Sequence, residues 1–590
     1  MNVTRTFDLL DLYSERSPKE DALCFKHKGI WKKFSSQDYI EYSNNFCCGI
    51  YDLGLRKGDK IITVSSNRPE WNFVDMGMSM LGVIHVPVFT SLSPGEYEYI
   101  IINSGAKMII ISDKKLYDCV SPAFKTKGFN AKVYSFDQVE GVANWMEIVD
   151  KGKTCPENIR QEINKEKAGI DPETFATLIY TSGTTGKPKG VMLSQKNMVS
   201  NFISAASVFN LQQTDKFLSI LPLCHVGGRM GNYQTQYSGA GIYYAESMGS
   251  IATNMQEISP DGFDAVPRVL EKFFDVIISK GKKLSGIKKT LFFWAVSLGL
   301  KYKPFGENGW FYEKKLSIAD KLIFSKWRAA LGGNVKIVGC GGASLQSRLE
   351  RVFWAAGIKI INMYGLTETS PIITINRTHK GGVKLGSVGT MIEDVEVKIE
   401  NDGEILCKGP NVMLGYYNDP DLTKSVIDNE GWFHTGDIGY LEDNKFLMVT
   451  DRKKEIFKLS NGKFIAPQII ENIFKESNVI DQIMVVGEHE KFASALISPN
   501  FKYFNELQSI KKISFSDFQE LILLPEIHTM FNSEIDKFNK RLSQSERISR
   551  FRLVPDEWSP ATGELSPTLK LKRRFISDKY SKILDQVYMK

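Results

Sequence analysis

Residues Tyr180 to Gly190, which read YTSGTTGKPKG, constrain this chain more than any other stretch. An apolar, β-branched run at Thr174 to Ile179 precedes them and predicts a buried strand. Ser194 follows as a suitable N-cap for an amphipathic helix over Gln195 to Phe209. A strand, a loop rich in Gly, Ser, Thr and Lys, and then a helix gather backbone N–H groups and cations around an anion, usually a phosphate.

This loop differs from the Walker A loop of the P-loop NTPases. That motif has four residues between its glycines, and its lysine is followed by a Ser or Thr that binds magnesium. Only two residues separate Gly183 from Gly186, and Pro188 stands where the hydroxyl residue should be. The pattern therefore favours a nucleotide-polyphosphate loop of another kind.

The residues on both sides of the loop alternate between strand and helix patterns. Such alternation predicts βαβ units, with parallel sheets that are covered by helices. The predicted strands are Lys60–Val64, Val83–Val88, Ala106–Ser112, Phe217–Leu221, Asn334–Val338 and Ile358–Met363, and the predicted helices are Ser35–Leu53, Glu70–Leu81, Glu96–Ser104 and Ser344–Ala356.

At 590 residues the chain is too long for a single core. After Gly381 the pattern changes to short strands, which predict a small β-rich subdomain, and the sequence DRKK at Asp451 to Lys454 interrupts the pattern again. Two strands within 481–499 and then helices follow. We therefore expect an α/β protein with a large N-terminal domain over residues 1–450. A small α+β C-terminal domain over 451–590 is expected to complete it.

Charge and cysteine content exclude several functional classes. The chain has 75 basic and 68 acidic residues, a net charge of +7 that helps to attract polyanions but is no nucleic-acid signature. The eight cysteines form no CxxC pair and no metal-ligand spacing with His, so we expect reduced thiols in a cytoplasmic protein. The first residues mix charges into a short apolar run, so we expect no signal peptide.

The most apolar segment is Thr290 to Leu300, TLFFWAVSLGL, whose 11 residues are too few to cross a bilayer as a helix. It is either a buried core helix or a surface helix that meets lipid or acyl chains. Together with the basic C-terminal end, it leads us to predict peripheral association with membranes.

Several further motifs carry candidate site residues. His225 follows a strand in LPLCHVGGR, and Gly341 to Ser344 follow another, where paired glycines allow close approach to a flat ring or a phosphate. The sequence YGLTETS at Tyr364 to Ser370 offers an aromatic face, hydroxyls and one carboxylate, a set that suits magnesium bound jointly with phosphates. Each motif also has a purely structural interpretation, as a buried histidine, a tight turn or a capped helix.

Two motifs near the C-terminal end complete the set. The sequence GWFHTGDIG at Gly431 to Gly439 places Asp437 among glycines, where a carboxylate suits a ribose diol as well as an ordinary turn. Lys570 lies in GELSPTLKLKRR, a cluster of cations. Such a cluster is more often a solvent-exposed surface than a functional site.

Taken together, YTSGTTGKPKG, LPLCH, YGLTETS, GWFHTGDIG, DRKKEIFKLSNGK and PTLKLKR occur in the order and spacing of the adenylate-forming enzymes. The resemblance covers residues from about 10 to 585. Two further segments, VPRVLEK (Val266 to Lys272) and ADKLIFSKWRAALGG (Ala319 to Gly333), resemble those of the long-chain fatty acid–CoA ligases.

The resemblance implies a role for each motif. The loop would hold the β- and γ-phosphates of ATP, Tyr364 would stack on adenine, and His225 would lie beside the acyl pocket. Lys570 would bridge carboxylate and phosphate during adenylation. The implied catalytic residues are Lys570, Thr367, Glu368 and His225; those for the nucleotide are Thr181, Ser182, Gly183, Thr184, Thr185, Gly186, Lys187, Gly341, Gly342, Ala343, Ser344, Met363, Tyr364, Gly365, Thr367, Asp437 and Arg452; those for Mg²⁺ are Thr184 and Glu368; the hinge residues are Asp451, Arg452, Lys453 and Lys454.

The implied reaction has two halves. A fatty carboxylate attacks the α-phosphorus of ATP to give acyl-AMP and pyrophosphate, with Mg²⁺ and Lys570 offsetting the repulsion between anions. Coenzyme A then expels AMP after the small domain has rotated. The implied partners are thus a long-chain fatty acid, ATP, coenzyme A and Mg²⁺. Delivery to a separate carrier protein, a preference for aryl or short-chain acids, and a binding protein that has lost the chemistry are the alternatives.

The sequence departs from the pattern of the family at two places. Gly227 and Gly228 stand where a bulky residue followed by Gly or Glu is expected, and Asp261 and Gly262 in SPDGFDAVPR (Ser259 to Arg268) stand where a short apolar run is usual. Both departures concern the acyl pocket and leave the nucleotide motifs intact.

Overall fold

A computed structural model describes residues 3–16, 18–126, 128–181, 188–510, 512–566 and 569–588. The helices are α1 Asp8–Arg16, α2 Ser36–Asp52, α3 Pro69–Met80, α4 Pro94–Ser104, α5 Lys114–Val120, α6 Met146–Lys153, α7 Glu157–Ala168, α8 Gln195–Phe209, α9 Val226–Tyr237, α10 Ile251–Ile258, α11 Pro267–Lys282, α12 Gly286–Gly299, α13 Trp310–Ala319, α14 Ser325–Ala330, α15 Ser347–Ala355, α16 Pro420–Val426, α17 Pro467–Phe474, α18 Phe501–Ser509, α19 Phe518–Leu521, α20 Pro525–Asn539, α21 Arg573–Lys579 and α22 Ser581–Tyr588.

The strands are β1 Leu23–His27, β2 Ile30–Phe34, β3 Lys60–Val64, β4 Ile84–Val88, β5 Met108–Ile111, β6 Lys132–Ser135, β7 Ala143–Asn144, β8 Phe175–Thr181, β9 Lys189–Ser194, β10 Lys216–Ser219, β11 Gly241–Tyr244, β12 Gly262–Ala265, β13 Ile337–Cys340, β14 Lys359–Gly365, β15 Ile372–Ile375, β16 Thr390–Met391, β17 Glu396–Ile399, β18 Glu404–Lys408, β19 Gly415–Tyr416, β20 Phe433–Glu442, β21 Phe446–Arg452, β22 Phe457–Lys458, β23 Phe464–Ile465, β24 Ile480–Val486, β25 Ser494–Pro499 and β26 Arg550–Leu553. The predicted α/β fold is confirmed.

The chain forms two compact units. Unit 1 contains residues 1–398, 406–434 and 443–447, and unit 2 contains residues 399–405, 435–442 and 448–590. The sequence predicts a domain boundary at residue 451, three residues after the last segment of unit 2 begins. That boundary, and the hinge at 451–454, stay predictions.

Unit 1 contains two large sheets, and both are mainly parallel. The eight-stranded sheet has the order β19-β9-β8-β4-β3-β5-β6-β7, with β3 parallel to β4 and β5. The nine-stranded sheet has the order β16-β15-β14-β13-β12-β10-β11-β1-β2, and its strands from β10 to β14 run parallel. Both carry buried Ile, Val, Phe and Met side chains, which explains the apolar runs that predict these strands.

A four-stranded sheet follows in the order β17-β18-β20-β21, as the short-strand pattern after Gly381 predicts. Unit 2 contains the hairpin β22–β23 and the sheet β24-β25-β26. Its core contains Phe474, Ile483, Leu496 and Phe531, all at most 1% exposed. The expectation that helices alone follow 499 is wrong, because Arg550–Leu553 forms β26 and runs parallel to β25.

The apolar run Thr290 to Leu300 lies mostly in α12, and one face of that helix is buried. Phe292, Ala295, Val296 and Gly299 pack inward, whereas Ser297 is exposed. The helix therefore lies at the surface and packs one side into the core, and its contact with lipid or acyl chains stays a prediction. Over the described parts of the chain, no helix has both the length and the apolar character needed to cross a bilayer.

Candidate active site

The predicted phosphate loop connects two antiparallel strands. Thr181 ends β8 and pairs with Lys189, the first residue of β9, while Ser182, Gly183, Thr184, Thr185, Gly186 and Lys187 lie outside the described residues. The expected strand–loop–helix order is wrong, because Val191 to Leu193 form a strand between β8 and β19. Helix α8 begins only after β9, where the Ser194 hydroxyl accepts the Asn197 N–H at 3.1 Å. Among the described residues, the first helix after the loop thus begins at Gln195, beyond β9.

Three parallel strands of the other sheet lead into the remaining candidate residues of unit 1, and β12 lies between two of them. His225 follows β10, Gly341 follows β13, and Thr367 follows β14. The carboxyl ends of parallel strands share one edge of a sheet, which is where open α/β sheets bind ligands. The structure thus brings these motifs to a common edge.

The predicted adenine pocket is assembled from β13 and β14. Cys340 pairs with Asn362, so that Gly341 lies beside Met363, whose carbonyl oxygen would be only 3.2 Å from a Cβ at residue 341. Gly342 has a φ of +83°, a backbone conformation that favours glycine. Tyr364 is half-buried, and Gly342 and Ala343 are exposed. The expected helix start at Ser344 is wrong, because residues 341–346 form an irregular turn and α15 begins at Ser347.

Thr367 and Glu368 lie in a short 3₁₀ turn that follows β14. The Glu368 carboxylate accepts a hydrogen bond from the Tyr416 hydroxyl at 2.8 Å. Tyr416 belongs to β19, which pairs with β9, and the Lys189 ammonium lies 5.2 Å from the centroid of its ring. These contacts place Glu368 next to the strand that leaves the phosphate loop.

Tyr416 is a further candidate site residue, which the sequence motifs do not reveal. Its burial, and then the neighbouring Glu368 carboxylate, raise the pKa of its phenol well above the usual value. The hydroxyl therefore remains a proton donor to Glu368. The segment MLGYYNDP contains two adjacent tyrosines. The pairing of β19 with β9 places Tyr416 near Glu368, and this pairing cannot be recognised in the sequence.

The residue types around Glu368 fit a magnesium ion that arrives with the nucleotide. Magnesium is usually bound through one or two carboxylates together with substrate phosphates. Glu368 provides one such carboxylate, while Thr184 lies outside the described residues. Over the residues that are described, no three His, Cys, Asp or Glu side chains gather into a metal-binding group.

His225 caps the N-terminus of α9. Its Nδ1 accepts the Gly227 N–H at 3.1 Å, and its ring lies 6.3 Å from that of Phe89. The helix is anchored one turn later by Arg229, which donates to Thr177 on β8 at 2.6 Å and forms an ion pair with the buried carboxylate of Asp75. His225 is thereby held by a rigid helix that is fixed to the strand leading into the phosphate loop.

Unit 2 contains the predicted ribose pair. Asp437 on β20 is 5% exposed, and its Oδ1 lies 3.3 Å from Nε of Arg452 at the end of β21. The Asp437 N–H donates to the Thr435 hydroxyl at 3.1 Å. A buried carboxylate held in this way is oriented for hydrogen bonds from hydroxyl groups.

The predicted hinge residues lie at the end of β21 and in the turn after it. Asp451 is fully buried and accepts the N–H groups of Gln468 at 2.8 Å and Arg452 at 2.7 Å. Burial raises the pKa of this carboxyl to about 6. The Lys453 ammonium forms an ion pair with Glu404 at 2.8 Å, and Lys454 is exposed.

Lys570, also in unit 2, lies in a turn with an exposed side chain. The Ser566 N–H donates to the Lys570 carbonyl at 2.8 Å, and the Lys570 N–H donates to the Ser566 hydroxyl at 3.0 Å. The bridge between Leu565 and Leu571 closes the base of the turn. Lys570 is thus held by two hydrogen bonds to Ser566, beside the base of the turn.

Comparisons with known proteins agree with this architecture. Residues 11–417 match the AMP-binding enzyme family, and residues 454–590 match the AMP-binding enzyme C-terminal domain. The chain is 28% identical to the long-chain fatty acid–CoA ligase FadD15 of Mycobacterium bovis over 95% of this chain and 93% of that protein. It is 30% identical to the long-chain fatty acid–CoA ligase ACSBG2 of Xenopus laevis over 96% of this chain and 81% of that protein.

A solved structure of the anthranilate CoA ligase AuaEII, in complex with anthranoyl-AMP, has a similar fold. The TM-score is 0.74 at 17% identity, and the match covers 98% of each chain. The family match extends over more than half of the sequence and includes the strands that carry the candidate residues of unit 1. The chain belongs to the AMP-binding enzyme family.

Proposed function

We propose that this protein activates a long-chain fatty acid with ATP and transfers the acyl group to coenzyme A. The observation that carries this proposal is the nearly full-length similarity to long-chain fatty acid–CoA ligases. The candidate residues at the carboxyl edge of β10, β13 and β14 support the same function.

In the first half-reaction, a carboxylate oxygen of the acid bonds to the α-phosphorus of ATP, and the bond from that phosphorus to the bridging oxygen of pyrophosphate breaks. Thr181 and the loop residues Ser182 to Lys187 bind the departing phosphates. Gly341 to Ser344 and Met363 to Gly365 bind adenine, and Asp437 and Arg452 bind the ribose. Thr184 and Glu368 would hold a magnesium ion together with the phosphates, and this ion would offset their negative charge.

Two further residues act on the reacting carboxylate. Lys570 supplies a cation that favours the approach of two anions and stabilises the charge on the transferred group. His225, fixed by α9, orients the carboxylate beside the acyl pocket. Thr367 donates its hydroxyl to the α-phosphate.

In the second half-reaction, the sulfur of coenzyme A bonds to the acyl carbon, and the bond from that carbon to the phosphate oxygen of AMP breaks. We assign the change between the halves to a hinge at Asp451 to Lys454. The Asp451 carboxylate accepts hydrogen bonds from two backbone N–H groups and so fixes the conformation of this segment. A rotation at the hinge either breaks both hydrogen bonds or keeps both.

Pyrophosphate release over a panel of acids tests the substrate class. The panel runs from short to very long chains and includes aryl acids, each measured with and without coenzyme A. We expect the highest kcat/KM for long chains. A preference for aryl or short-chain acids contradicts the long-chain proposal, and transfer to a holo-carrier protein but not to coenzyme A contradicts the proposed acceptor.

We also propose that the protein associates peripherally with anionic membranes through α13, in addition to the basic C-terminal end. Phe311 is 77% exposed, Ile318 53% and Leu322 43%, and their spacing places them along one helical stripe that continues into the π-helical segment Asp320–Phe324. Trp310, 66% exposed, adjoins the stripe. Large apolar side chains of this kind insert into the boundary between lipid headgroups and acyl chains.

The charges around α13 favour an anionic surface. Residues 267–328 hold 14 basic and 5 acidic side chains, and Lys314, Lys315 and Lys321 are exposed on α13 and the segment after it. Each lysine near an anionic leaflet contributes about 1 kcal/mol to binding. The buried face of α12 makes that helix a support for the stripe rather than the contact itself.

Cosedimentation with vesicles tests this surface. We expect binding to vesicles that contain phosphatidylserine, weaker binding at high salt, and loss of binding in the double variant Trp310→Ser with Phe311→Ser. Leu523→Ser, which removes a side chain 73% exposed in unit 2, is the matched control. Equal recovery of the wild type and the double variant with the vesicles contradicts the proposal.

A further inference from the structure

Asp264 is a carboxylate inside a fully buried strand. It is the third residue of β12, whose four residues are all buried, and it is 4% exposed. It lies opposite Gly339 on the neighbouring parallel strand β13. An acidic side chain in such a place is unusual, since Asp is rarely buried without a partner.

Two glycines make the space that this carboxyl group occupies. A Cβ at residue 231 of α9 would come within 2.0 Å of Oδ2 of Asp264, and a Cβ at residue 339 would come within 2.1 Å of Oδ1. Neither separation is possible for a real side chain. Gly231 and Gly339 therefore accommodate Asp264, and the three positions form one arrangement.

Among the described residues, Oδ1 of Asp264 has no hydrogen-bond partner. The carboxyl group lines a cavity of about 10 Å³, together with Ser219, Leu221, Gly228 and Asn232. A space of this size accommodates one water molecule or one hydroxyl group. Burial also raises the pKa of Asp264 to about 7, as expected for a carboxyl group that nothing compensates.

The other polar side chain of the lining that can form a further hydrogen bond is that of Ser219. The amide of Asn232 already donates to Asn72 at 2.6 Å and accepts from Tyr244 at 2.8 Å. The Ser219 hydroxyl accepts a long hydrogen bond of 3.5 Å from the Asn67 amide. A hydroxyl group in the cavity can thus donate to Asp264 and accept from Ser219.

The cavity adjoins the place where the acid is proposed to bind. Leu221 and Gly228 flank His225 in the sequence, and Gly231 lies six residues after His225, roughly 9 Å along α9. Gly228 and Asp264 also belong to the two segments in which this chain departs from the pattern of the long-chain ligases. Residues within these two segments therefore line one cavity, whose lining includes neither Asp261 nor Gly262.

We propose that Asp264 is a specificity-determining residue that binds a hydroxyl group on the chain of the fatty acid. The substrate class is then a mid-chain hydroxy acid, which rests on the proposed acid-activating function. A neutral hydroxyl fits better than an ammonium group, because burying a second charge in this apolar surrounding is costly. A chain without a hydrogen-bond donor at this position is also disfavoured, because it leaves the buried Oδ1 of Asp264 without a hydrogen bond.

The test compares matched acids of equal length, unsubstituted and with a hydroxyl moved along the chain. Pyrophosphate release gives kcat/KM for the wild type, Asp264→Leu and Asp264→Asn. We expect the wild type to prefer one mid-chain hydroxy isomer by about 10- to 100-fold. Asp264→Leu should lose this preference, while Asp264→Asn, which keeps a hydrogen-bonding oxygen, should retain part of it.

Binding of each acid is also measured by calorimetry without ATP, so that the result does not depend on turnover. If no acid releases pyrophosphate, the proposed function fails, and selective binding of a hydroxy isomer by the wild type alone still supports the role of Asp264. If the wild type does not favour any hydroxy isomer in either assay, the proposal is overturned. A preference that is the same in Asp264→Leu as in the wild type also overturns the proposal. Tighter binding of a fatty acid that carries an amino group in place of the hydroxyl overturns it as well.

Discussion

The Tyr416 hydroxyl donates a hydrogen bond to the Glu368 carboxylate at 2.8 Å, and this bond connects the predicted magnesium ligand to the strand that leaves the phosphate loop. Tyr416 is 7% exposed, and its neighbour on β9 is Val191. The bond fixes one oxygen of Glu368, and we propose that the other would bind the magnesium ion. The arrangement explains why a carboxylate on a short turn can keep a defined orientation.

Tyr416→Phe tests this relationship. Removing the hydroxyl leaves the ring in place and takes away a hydrogen bond to a charged group, so we expect kcat for adenylation to fall about 10- to 100-fold. The dependence of the rate on magnesium concentration should shift to higher concentrations. Tyr417→Phe, at the next residue, is the control and should behave as the wild type. An unchanged rate and magnesium dependence in Tyr416→Phe would show that the contact has no part in catalysis.

Lys570→Ala should separate the two half-reactions. Loss of a positioned cation is expected to slow pyrophosphate release by about 10²- to 10³-fold. Thioester formation from supplied acyl-AMP and coenzyme A should change little, because that step does not bring two anions together. Lys572→Ala removes the same charge two residues away and serves as the control. Equal losses in both half-reactions would point to a structural role of Lys570.

Asp437→Asn tests the ribose assignment. The carboxylate of Asp437 can accept two hydroxyl groups, so the wild type should use ATP at least 10-fold better than 2′,3′-dideoxy-ATP by kcat/KM. The variant should use both nucleotides at similar, lower efficiency. Discrimination that survives in Asp437→Asn would remove this residue from the ribose site. The nearly identical shape of Asn makes the comparison independent of packing.

The raised pKa of Asp264 predicts that the free energy of unfolding depends on pH. Burial raises the pKa of this carboxyl to about 7, whereas an exposed Asp titrates near 3.8. Between these values the folded protein keeps a proton that the unfolded chain has released, so the free energy of unfolding contributed by Asp264 falls as the pH rises from about 4 to about 7. Thermal unfolding of the wild type and Asp264→Asn across this range should show the difference, with the variant gaining on the wild type as the pH rises. A constant difference would contradict the raised pKa.

The sequence patterns predict most of the fold because its units are local. Residues such as Lys60–Val64 and Gln195–Phe209 carry apolar periods that match one strand or one helix, and the structure confirms both. The same patterns miss β9 and β26, whose strands of six and four residues are decided by pairing with distant neighbours. Four residues such as RFRL contain too short a period to distinguish a strand from the end of a helix.

The candidate site divides in the same way. Glycines, hydroxyl residues and single acids in motifs predict Gly341, Glu368 and Asp437, because their chemistry can be recognised without knowing their neighbours. Tyr416 contacts Glu368, which lies 48 residues away in the sequence. Asp264 on β12 lies against Gly231 on α9. Those contacts depend on tertiary packing, which no local pattern contains.

In the proposed reaction, one acid-dependent cleavage of ATP yields acyl-AMP, and coenzyme A then removes the acyl group. Mass spectrometry of the products formed from ATP, magnesium and a long-chain acid, with and without coenzyme A, tests it most directly. We predict acyl-AMP and pyrophosphate in equal amounts without coenzyme A, and acyl-CoA, AMP and pyrophosphate in equal amounts with it. Formation of ADP and phosphate, or cleavage of ATP that does not depend on the acid, would contradict the account.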